Sequence, residues 1–203
     1  MFMYGRPKRY EEFGMVLDIF PEDRRRARGS IARGEDMAQI VGEDFFTLLE
    51  AAVPHESRPE MRSRIYVGKD GPRQVLRIIR RVGYESLTVS AKAELEPAIR
   101  TIVESNEKRF TEFFNTATPV TPRLHAIELI PGIGKKYLYK ILEEREVNPF
   151  KDLNDVKERI GISDPLRALV KRILTELSSP EEKYYLFARE PYSPEERRPA
   201  TWK

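Results

Sequence analysis

The segment "LIPGIGKKYLYKIL" (residues 129–142) combines residue types that suit an anion-binding turn. Pro131 is expected to end one helix, and Lys135 to begin the next. Gly132 and Gly134 allow backbone conformations that other residues avoid, and they leave main-chain N–H groups open to a ligand. The first N–H groups of a helix lack acceptors and carry partial positive charge, which favours a phosphate. The predicted phosphate-binding turn consists of Gly132, Ile133, Gly134, Lys135 and Lys136.

A second, degenerate copy of this pattern follows one helix pair later, at "IGISD" (residues 160–164). It lacks the proline and the second glycine. Gly161 is a candidate phosphate contact, and the alternative is that this copy only completes a compact helical unit. For the first copy the alternative is a tight helical turn that packs on its neighbour, with Ile133 pointing into the helix pair in either case.

Basic residues cluster in two places in the first half of the chain. The run "RRRAR" (residues 24–28) follows a predicted strand, and its arginines either contact phosphate or form a solvated loop. In "RSRIYV" (residues 62–67), alternate residues share one face of a β-strand. This face could clamp a single strand of nucleic acid and stack on its bases, unless the tyrosine in this segment instead covers the core. The candidate contacts are Arg24, Arg25, Arg26, Arg62, Arg64 and Tyr66.

The composition offers little for catalysis. The 203 residues include no cysteine, which excludes disulfides, thiolate nucleophiles and cysteine-based zinc sites. Of the two histidines, His125 is expected to pack or cap, and His55 to lie exposed in a loop. Neither a carboxylate cluster nor the phosphate loop of nucleotide hydrolases is found. We therefore expect no enzyme activity, no metal and no cofactor.

The first half predicts short strands. Residues 11–20 form one, and residues 37–53 form two that are separated by a turn at Gly42-Glu43-Asp44. Residues 62–68 form a half-buried fourth strand. About four short strands with basic loops favour a small barrel. Residues 75–82 suit a strand or a helix, and we favour a helix; residues 181–190 predict a late strand.

The second half predicts helices. Residues 90–117 form a long helical stretch in which Pro97 lies in the first turn or marks a break. Residues 122–178 give four helices, which cover 123–130, 135–145, 151–160 and 165–177. The third has Asp152 or Asn154 as its cap, and the fourth has Asp164 as its cap and Pro165 at its start.

The first turn, within "ELIPGIGKKYLYKILEE", resembles the helix-hairpin-helix motifs that place backbone amides on a nucleic-acid phosphate. Nearly the whole chain resembles an archaeal family named domain of unknown function 655, through "EEFGMVLDIFPED", "YESLTVSAKAEL", "NEKRFTEFFNTATP", "ELIPGIGKK" and "EKYYLFAR" in this order. The resemblance implies an OB-like barrel before a helix-hairpin-helix domain, and binding of nucleic acid, RNA in particular. It implies no catalytic residues.

These observations predict an α+β protein. An OB-like barrel with a helical extension covers residues 1–114, and a linker covers 115–122. A tandem helix-hairpin-helix domain covers 123–180, and a late strand with a flexible tail covers 181–203. No run approaches the ~18 apolar residues of a membrane span, and no signal peptide is recognisable, so a cytoplasmic location is expected.

The predicted function is non-catalytic binding of RNA or DNA through backbone phosphates, with RNA or single strands favoured. The partners could include the translation, transcription or repair machinery, and no membrane is expected. The alternatives are an enzyme of nucleic-acid repair or processing, which carboxylates gathered in one cleft would favour, and a protein–protein adaptor, which a buried turn would favour.

Overall fold

The computed structural model describes residues 10–21, 34–69, 77–179 and 181–190, and within these ranges the protein is a mixed α+β structure. It contains a five-stranded antiparallel sheet and five α-helices. The chain divides into two compact units. One holds the described residues up to Ala98 together with those from Phe187 onward, and the other holds Ile99–Leu186.

The first unit is built on the five-stranded sheet, whose strand order is β4-β1-β2-β3-β5. Each strand is antiparallel to its neighbour. The strands are β1 (Phe13–Phe20), β2 (Glu35–Gly42), β3 (Leu48–Pro54), β4 (Arg64–Tyr66) and β5 (Arg77–Arg81). Because alternate residues of a strand face opposite sides, one face collects an apolar core. That core is formed by Val16, Ile19, Ala38, Ile40, Leu49, Ala51, Val53 and Val67, with Ile65 and Ile78 packed against it.

The turn between β2 and β3 is held by a buried carboxylate. Glu11 accepts hydrogen bonds from the backbone N–H groups of Asp44, Phe45 and Thr47 at 2.8–3.2 Å. Burial raises the pKa of the Glu11 carboxyl, against the opposing effect of these hydrogen bonds. A Cβ atom at Gly42 would lie 2.0 Å from the Glu11 carboxyl carbon, so any other residue there would have to displace the Glu11 side chain. The predicted turn at residues 42–44 is confirmed.

The predicted small barrel is not what the described residues show. The strands β4 and β5 are the two edges of an open sheet. Both β1 and β3 are antiparallel to β2, so they run in the same direction. Because β4 is antiparallel to β1 and β5 is antiparallel to β3, the two edge strands also run in the same direction as each other. The helix favoured for residues 75–82 is also wrong over its described part, because β5 pairs with β3 through Leu49↔Arg81 and Ala51↔Ile78. Local sequence could not show that β3 offers this edge.

The second unit is mainly helical. It contains α2 (Glu107–Thr116), α3 (Lys135–Val147), α4 (Leu153–Ile160) and α5 (Pro165–Ser178), and α1 (Val89–Ser105) begins in the first unit and ends in the second. The predicted stretch 90–117 is two helices, because Asn106 leaves the helical conformation and donates from its side chain to the Ile102 carbonyl oxygen at 2.9 Å. Pro97 lies inside α1 and breaks nothing.

The predicted caps of the last two helices are confirmed. Asp152 accepts from the Asp155 N–H at 2.7 Å, and Asp164 accepts from the Arg167 N–H at 2.8 Å. Pro165 is the first residue of α5. These local signals determine where both helices begin.

Two predicted elements between residues 115 and 130 differ from the structure. Residues 123–130 are not an α-helix but a strand, β7 (Leu124–His125), followed by a 3-10 helix (Ala126–Leu129). β7 pairs with β6 (Pro119–Thr121), so residues of the predicted linker form a strand within the second unit.

The late strand predicted over residues 181–190 is absent, since the described residues there form a turn, a bend and irregular segments. They are held by side chains instead. The Leu186 N–H donates to the Glu176 carboxylate at 2.9 Å, and the Arg172 guanidinium donates to the Tyr184 carbonyl oxygen. Within the described parts, no helix combines the length and apolar character needed to cross a membrane.

Candidate nucleic-acid interface

The predicted phosphate turn connects the 3-10 helix to α3. Gly132 has a φ of +89°, a left-handed conformation that favours glycine. Ile133 is only 4% exposed, and its N–H donates to the Ile130 carbonyl oxygen at 3.0 Å. The expectation that Ile133 points into the helical unit is confirmed. A buried isoleucine therefore anchors a turn whose flanking glycines are exposed.

Gly134 has a different role from the one expected. Its φ of −94° and ψ of −176° are ordinary extended values, so its backbone needs no glycine. It is the N-cap of α3, and no side chain caps this helix. A Cβ atom at Gly134 would meet nothing within 4 Å. The absence of a side chain at this position therefore serves to leave the helix N-terminus uncovered.

The main-chain N–H groups of this turn are available to a ligand. The first intrahelical bond runs from the Leu138 N–H to the Gly134 carbonyl oxygen at 3.0 Å. Among the described residues, no acceptor is found for the N–H groups of Gly132, Gly134, Lys135 and Lys136. Unbonded N–H groups at a helix start attract anions because the helix dipole adds partial positive charge.

The two lysines of the turn differ in their surroundings. The Lys135 ammonium lies 2.8 Å from the Glu128 carboxylate. Its hydrogen bond lowers the pKa of Glu128, and Glu128 in turn raises the pKa of Lys135. Lys136 is exposed and makes no ion pair with any described residue. Lys136 therefore contributes the uncompensated positive charge.

His125 supports this turn from the preceding element. The ring Nδ1 of His125 accepts a hydrogen bond from the backbone N–H of Ile127 at 3.2 Å, and the backbone N–H of His125 donates to the Glu128 carboxylate at 2.9 Å. The two bonds together form a capping box. Burial, with a contribution from the charge of Arg145, lowers the pKa of His125. The capping role expected for His125 is confirmed. The role of Glu128, which also pairs with Lys135, was missed, although its position three residues after a capping residue was a possible signal.

The second turn has a similar backbone but different caps. Gly161 has a φ of +88°, and its N–H donates to the Lys157 carbonyl oxygen at 2.8 Å. Ile162, like Ile133, is buried, with 9% exposure. The α5 helix that follows has the Asp164 carboxylate on its N-terminus, and Pro165 supplies no N–H. The start of α5 is therefore occupied by a negative charge.

The basic residues predicted for the sheet have partners. Arg64 makes a two-pronged contact with Glu43, at 2.8 and 3.0 Å, and its guanidinium lies 3.5 Å from the centre of the Phe13 ring. Tyr66 packs edge-to-face on Phe13, with ring centres 5.4 Å apart. These three residues share a face, as predicted for Arg64 and Tyr66.

Arg62 is not on that strand. It lies in the preceding turn with a φ of +59°, and its guanidinium hydrogen-bonds the Glu94 carboxylate, which lowers the pKa of Glu94. The predicted contacts Arg24, Arg25 and Arg26 lie outside the described residues. Across the described ranges, no three His, Asp or Glu side chains gather in a way that could hold a metal ion.

Comparison with known proteins gives a consistent relationship. Residues 10–189 match the family model described as "Protein of unknown function (DUF655)". The sequence is 38% identical over 186 residues to "Uncharacterized protein MJ0038" of Methanocaldococcus jannaschii. The aligned region covers 91% of this chain and 83% of that protein. The fold is similar to the crystal structure of Af1531 from Archaeoglobus fulgidus, with a TM-score of 0.76 and 41% identity over 88% of this chain and 100% of that one. The protein therefore belongs to the DUF655 family.

Proposed function

We propose that the protein binds nucleic acid through a backbone phosphate held at the turn that precedes α3. The observation that carries this proposal is the uncapped start of α3. The next two helices each have an aspartate cap, whereas α3 has a glycine with free space around it. A phosphate oxygen is the kind of acceptor that these N–H groups lack.

The surroundings of the turn support a ligand that is itself negatively charged. Lys136 adds an exposed charge, and Ile133 keeps the turn in place by its burial. Tyr139, 59% exposed on α3, lies about one helical turn beyond Lys135 and could stack on a base. This arrangement agrees with the helix-hairpin-helix motif that the sequence resembles. Gly161 is left out of the proposed interface, because Asp164 would repel a phosphate there.

The OB-like character implied by the resemblance is retained only as a proposal for the sheet. An open sheet with aromatic residues on one face can receive a single strand, and Phe13 with Tyr66 provides such a face on β1 and β4. Arg64 could exchange its contact with Glu43 for a phosphate. RNA or a single strand is therefore favoured over duplex DNA.

Salt titration tests the phosphate contact. The logarithm of the binding constant for single-stranded RNA should fall linearly with the logarithm of salt concentration. Lys136→Gln should make this slope shallower by about 0.7, since single strands release about that much counterion per contact. Lys135→Gln is the matched control and should change the slope less, because Glu128 already compensates its charge. A slope near zero for the native protein would overturn the proposal.

Competition between RNA and DNA of one sequence tests the ligand class. Labelled single-stranded RNA is displaced with unlabelled RNA, single-stranded DNA or duplex DNA. Displacement by the single strands at lower concentration than by the duplex is the expected result. Stronger displacement by duplex DNA would overturn the single-strand preference and leave the phosphate turn standing.

A further inference from the structure

The glutamate that precedes the turn before α3 is held in place by two groups. Glu128 is the third residue of the 3-10 helix (Ala126–Leu129), and its side chain is only 12% exposed. One carboxylate oxygen accepts the backbone N–H of His125 at 2.9 Å. The Lys135 ammonium lies 2.8 and 2.9 Å from the two oxygens of the same carboxylate. A carboxylate bound in this way stays beside the start of α3.

This ion pair cancels one of the two lysine charges at the turn. Lys135 is the first residue of α3, where a positive charge is unfavourable because the helix dipole already makes the N-terminus partly positive. The hydrogen bond between the two side chains lowers the pKa of Glu128 and raises the pKa of Lys135, so that both stay ionised. His125 adds no charge at neutral pH, since burial lowers the pKa of its ring. Of these side chains and Lys136, only Lys136 contributes a full positive charge that is not compensated.

The charge left at the turn matches one kind of phosphate better than another. A phosphate inside a strand is a diester with one negative charge. A phosphate at the end of a strand is a monoester with a charge of about −1.5 to −2 at pH 7. The additional negative charge would find the Lys135 ammonium already bound and would be repelled by the Glu128 carboxylate.

We propose that Glu128 makes the turn before α3 selective for the singly charged phosphate inside a strand over the doubly charged phosphate at a strand end. This selectivity rests on the function proposed above, since it concerns the same turn and the same class of ligand. Glu128 acts through Lys135 and does not need to touch the phosphate. The protein therefore binds along a strand and does not prefer its ends.

Glu128→Gln removes the charge and keeps the capping box. The glutamine side-chain oxygen can still accept the His125 N–H, and capping boxes use either glutamate or glutamine. The thermal unfolding midpoint should therefore change little, while the Lys135 ammonium becomes available to a second negative charge.

Glu146→Gln is the matched control for this variant. Glu146 is an exposed residue of the same helix, α3, so the substitution removes the same charge. It lies about 16 Å from Lys135 along the helix axis. That distance exceeds the screening length of about 8 Å at physiological salt, so its charge has little effect at the turn.

Two uridine trinucleotides, one with and one without a 5′-phosphate, measure the selectivity in calorimetric titrations of the full chain. The native protein and Glu146→Gln should bind the two within about twofold of each other. Glu128→Gln should bind the phosphorylated trinucleotide about threefold to fivefold more tightly, which is the effect of one exposed ion pair. The same ratio of the two affinities in the native protein and in Glu128→Gln would overturn the proposal.

Salt titration with single-stranded RNA shows whether Lys135 is the group that Glu128 controls. In the native protein, Lys135→Gln should change the slope less than Lys136→Gln does. In a Glu128→Gln background, Lys135→Gln should make the slope shallower by about 0.7, the value for one phosphate contact of a single strand. Such non-additivity measures the coupling between the two side chains. Equal effects of Lys135→Gln in the two backgrounds would also overturn the proposal.

These measurements separate the role of Glu128 from the phosphate site on which it depends. If Lys136→Gln makes the slope shallower while Glu128→Gln leaves the ratio of the two affinities unchanged, the turn binds phosphate and Glu128 does not select it. If the native protein has a slope near zero and binds neither trinucleotide, the phosphate site itself is absent and the selectivity fails with it.

Discussion

The turns before α3 and α5 share a backbone design and differ at the residue that caps the following helix. Each has a left-handed glycine, with φ values of +89° and +88°, followed by a buried isoleucine. Gly134 caps α3 without a side chain, whereas the Asp164 carboxylate caps α5. The comparison teaches that conformation alone does not make an anion site, because a carboxylate at the cap uses the same N–H groups that a phosphate would need.

The largest effect is expected from giving the first turn the cap of the second. Gly134→Asp places a carboxylate over the start of α3, where a Cβ atom has free space. Nucleic-acid affinity should fall at least about 100-fold, since the loss of charge-assisted hydrogen bonds costs roughly 1.5–3 kcal/mol each. The thermal unfolding midpoint should stay the same or rise, because aspartate is at least as good an N-cap as glycine.

Ser163→Asp is the control for this variant. It adds the same charge at an exposed position of the second turn. Filter-binding assays at one salt concentration should show a change of less than about threefold, because an exposed charge away from the ligand is screened. If the two variants lose affinity equally, the effect is one of net charge, and the two turns are not functionally different.

A medium effect is expected from alanine at the two left-handed glycines. Gly132→Ala and Gly161→Ala should each lower the free energy of unfolding by roughly 1–2 kcal/mol, because alanine is strained at these φ values. Neither methyl group would meet an atom within 4 Å, so a steric clash is not expected in either variant. Only Gly132→Ala should also weaken RNA binding, because only its turn presents unbonded N–H groups to the proposed phosphate. Denaturant unfolding and binding titrations on both variants check this, and equal affinities for the two would contradict it.

The smallest effect is expected from pH at the first turn. The folded-state pKa of His125 is below the unfolded value of about 6.5. The contribution of neutral His125 to stability is therefore complete above about pH 6.5 and is lost as the pH falls below that value. Protonation removes the acceptor for the Ile127 N–H, a neutral hydrogen bond of about 0.5–1.5 kcal/mol. The hydrogen-exchange protection factor of the Ile127 amide should fall between pH 7 and pH 5.5, while that of the Asp155 amide, capped by Asp152 before the second turn, should fall less.

His125→Asn serves as the control for the pH measurement. Asparagine can still accept from the Ile127 N–H but does not titrate in this range. In this variant the protection factor of the Ile127 amide should be nearly independent of pH. A native protein with equal pH dependence at both amides would indicate that the turns respond to a general loss of stability and not to His125.

The sequence determined the elements whose signals are local. Asp152, Asp164 and Pro165 correctly marked the starts of α4 and α5, and the glycine-containing turn at residues 42–44 separated β2 from β3. The buried position of Ile133 was also predicted. The two aspartates bond within three residues of their own positions, so nearby sequence is sufficient to place the starts of these two helices.

The tertiary structure decided what depended on distant partners. Residues 77–81 form a strand because β3 offers its edge, and Glu11 fixes a turn more than thirty residues away. Residues 181–190 are held by Arg172 and Glu176 and not by a sheet. The compensation of Lys135 by Glu128 likewise depends on how the turn between them folds. Composition and spacing identify the charges, but only the packed chain determines which of them meet an opposite charge and which remain available to a ligand.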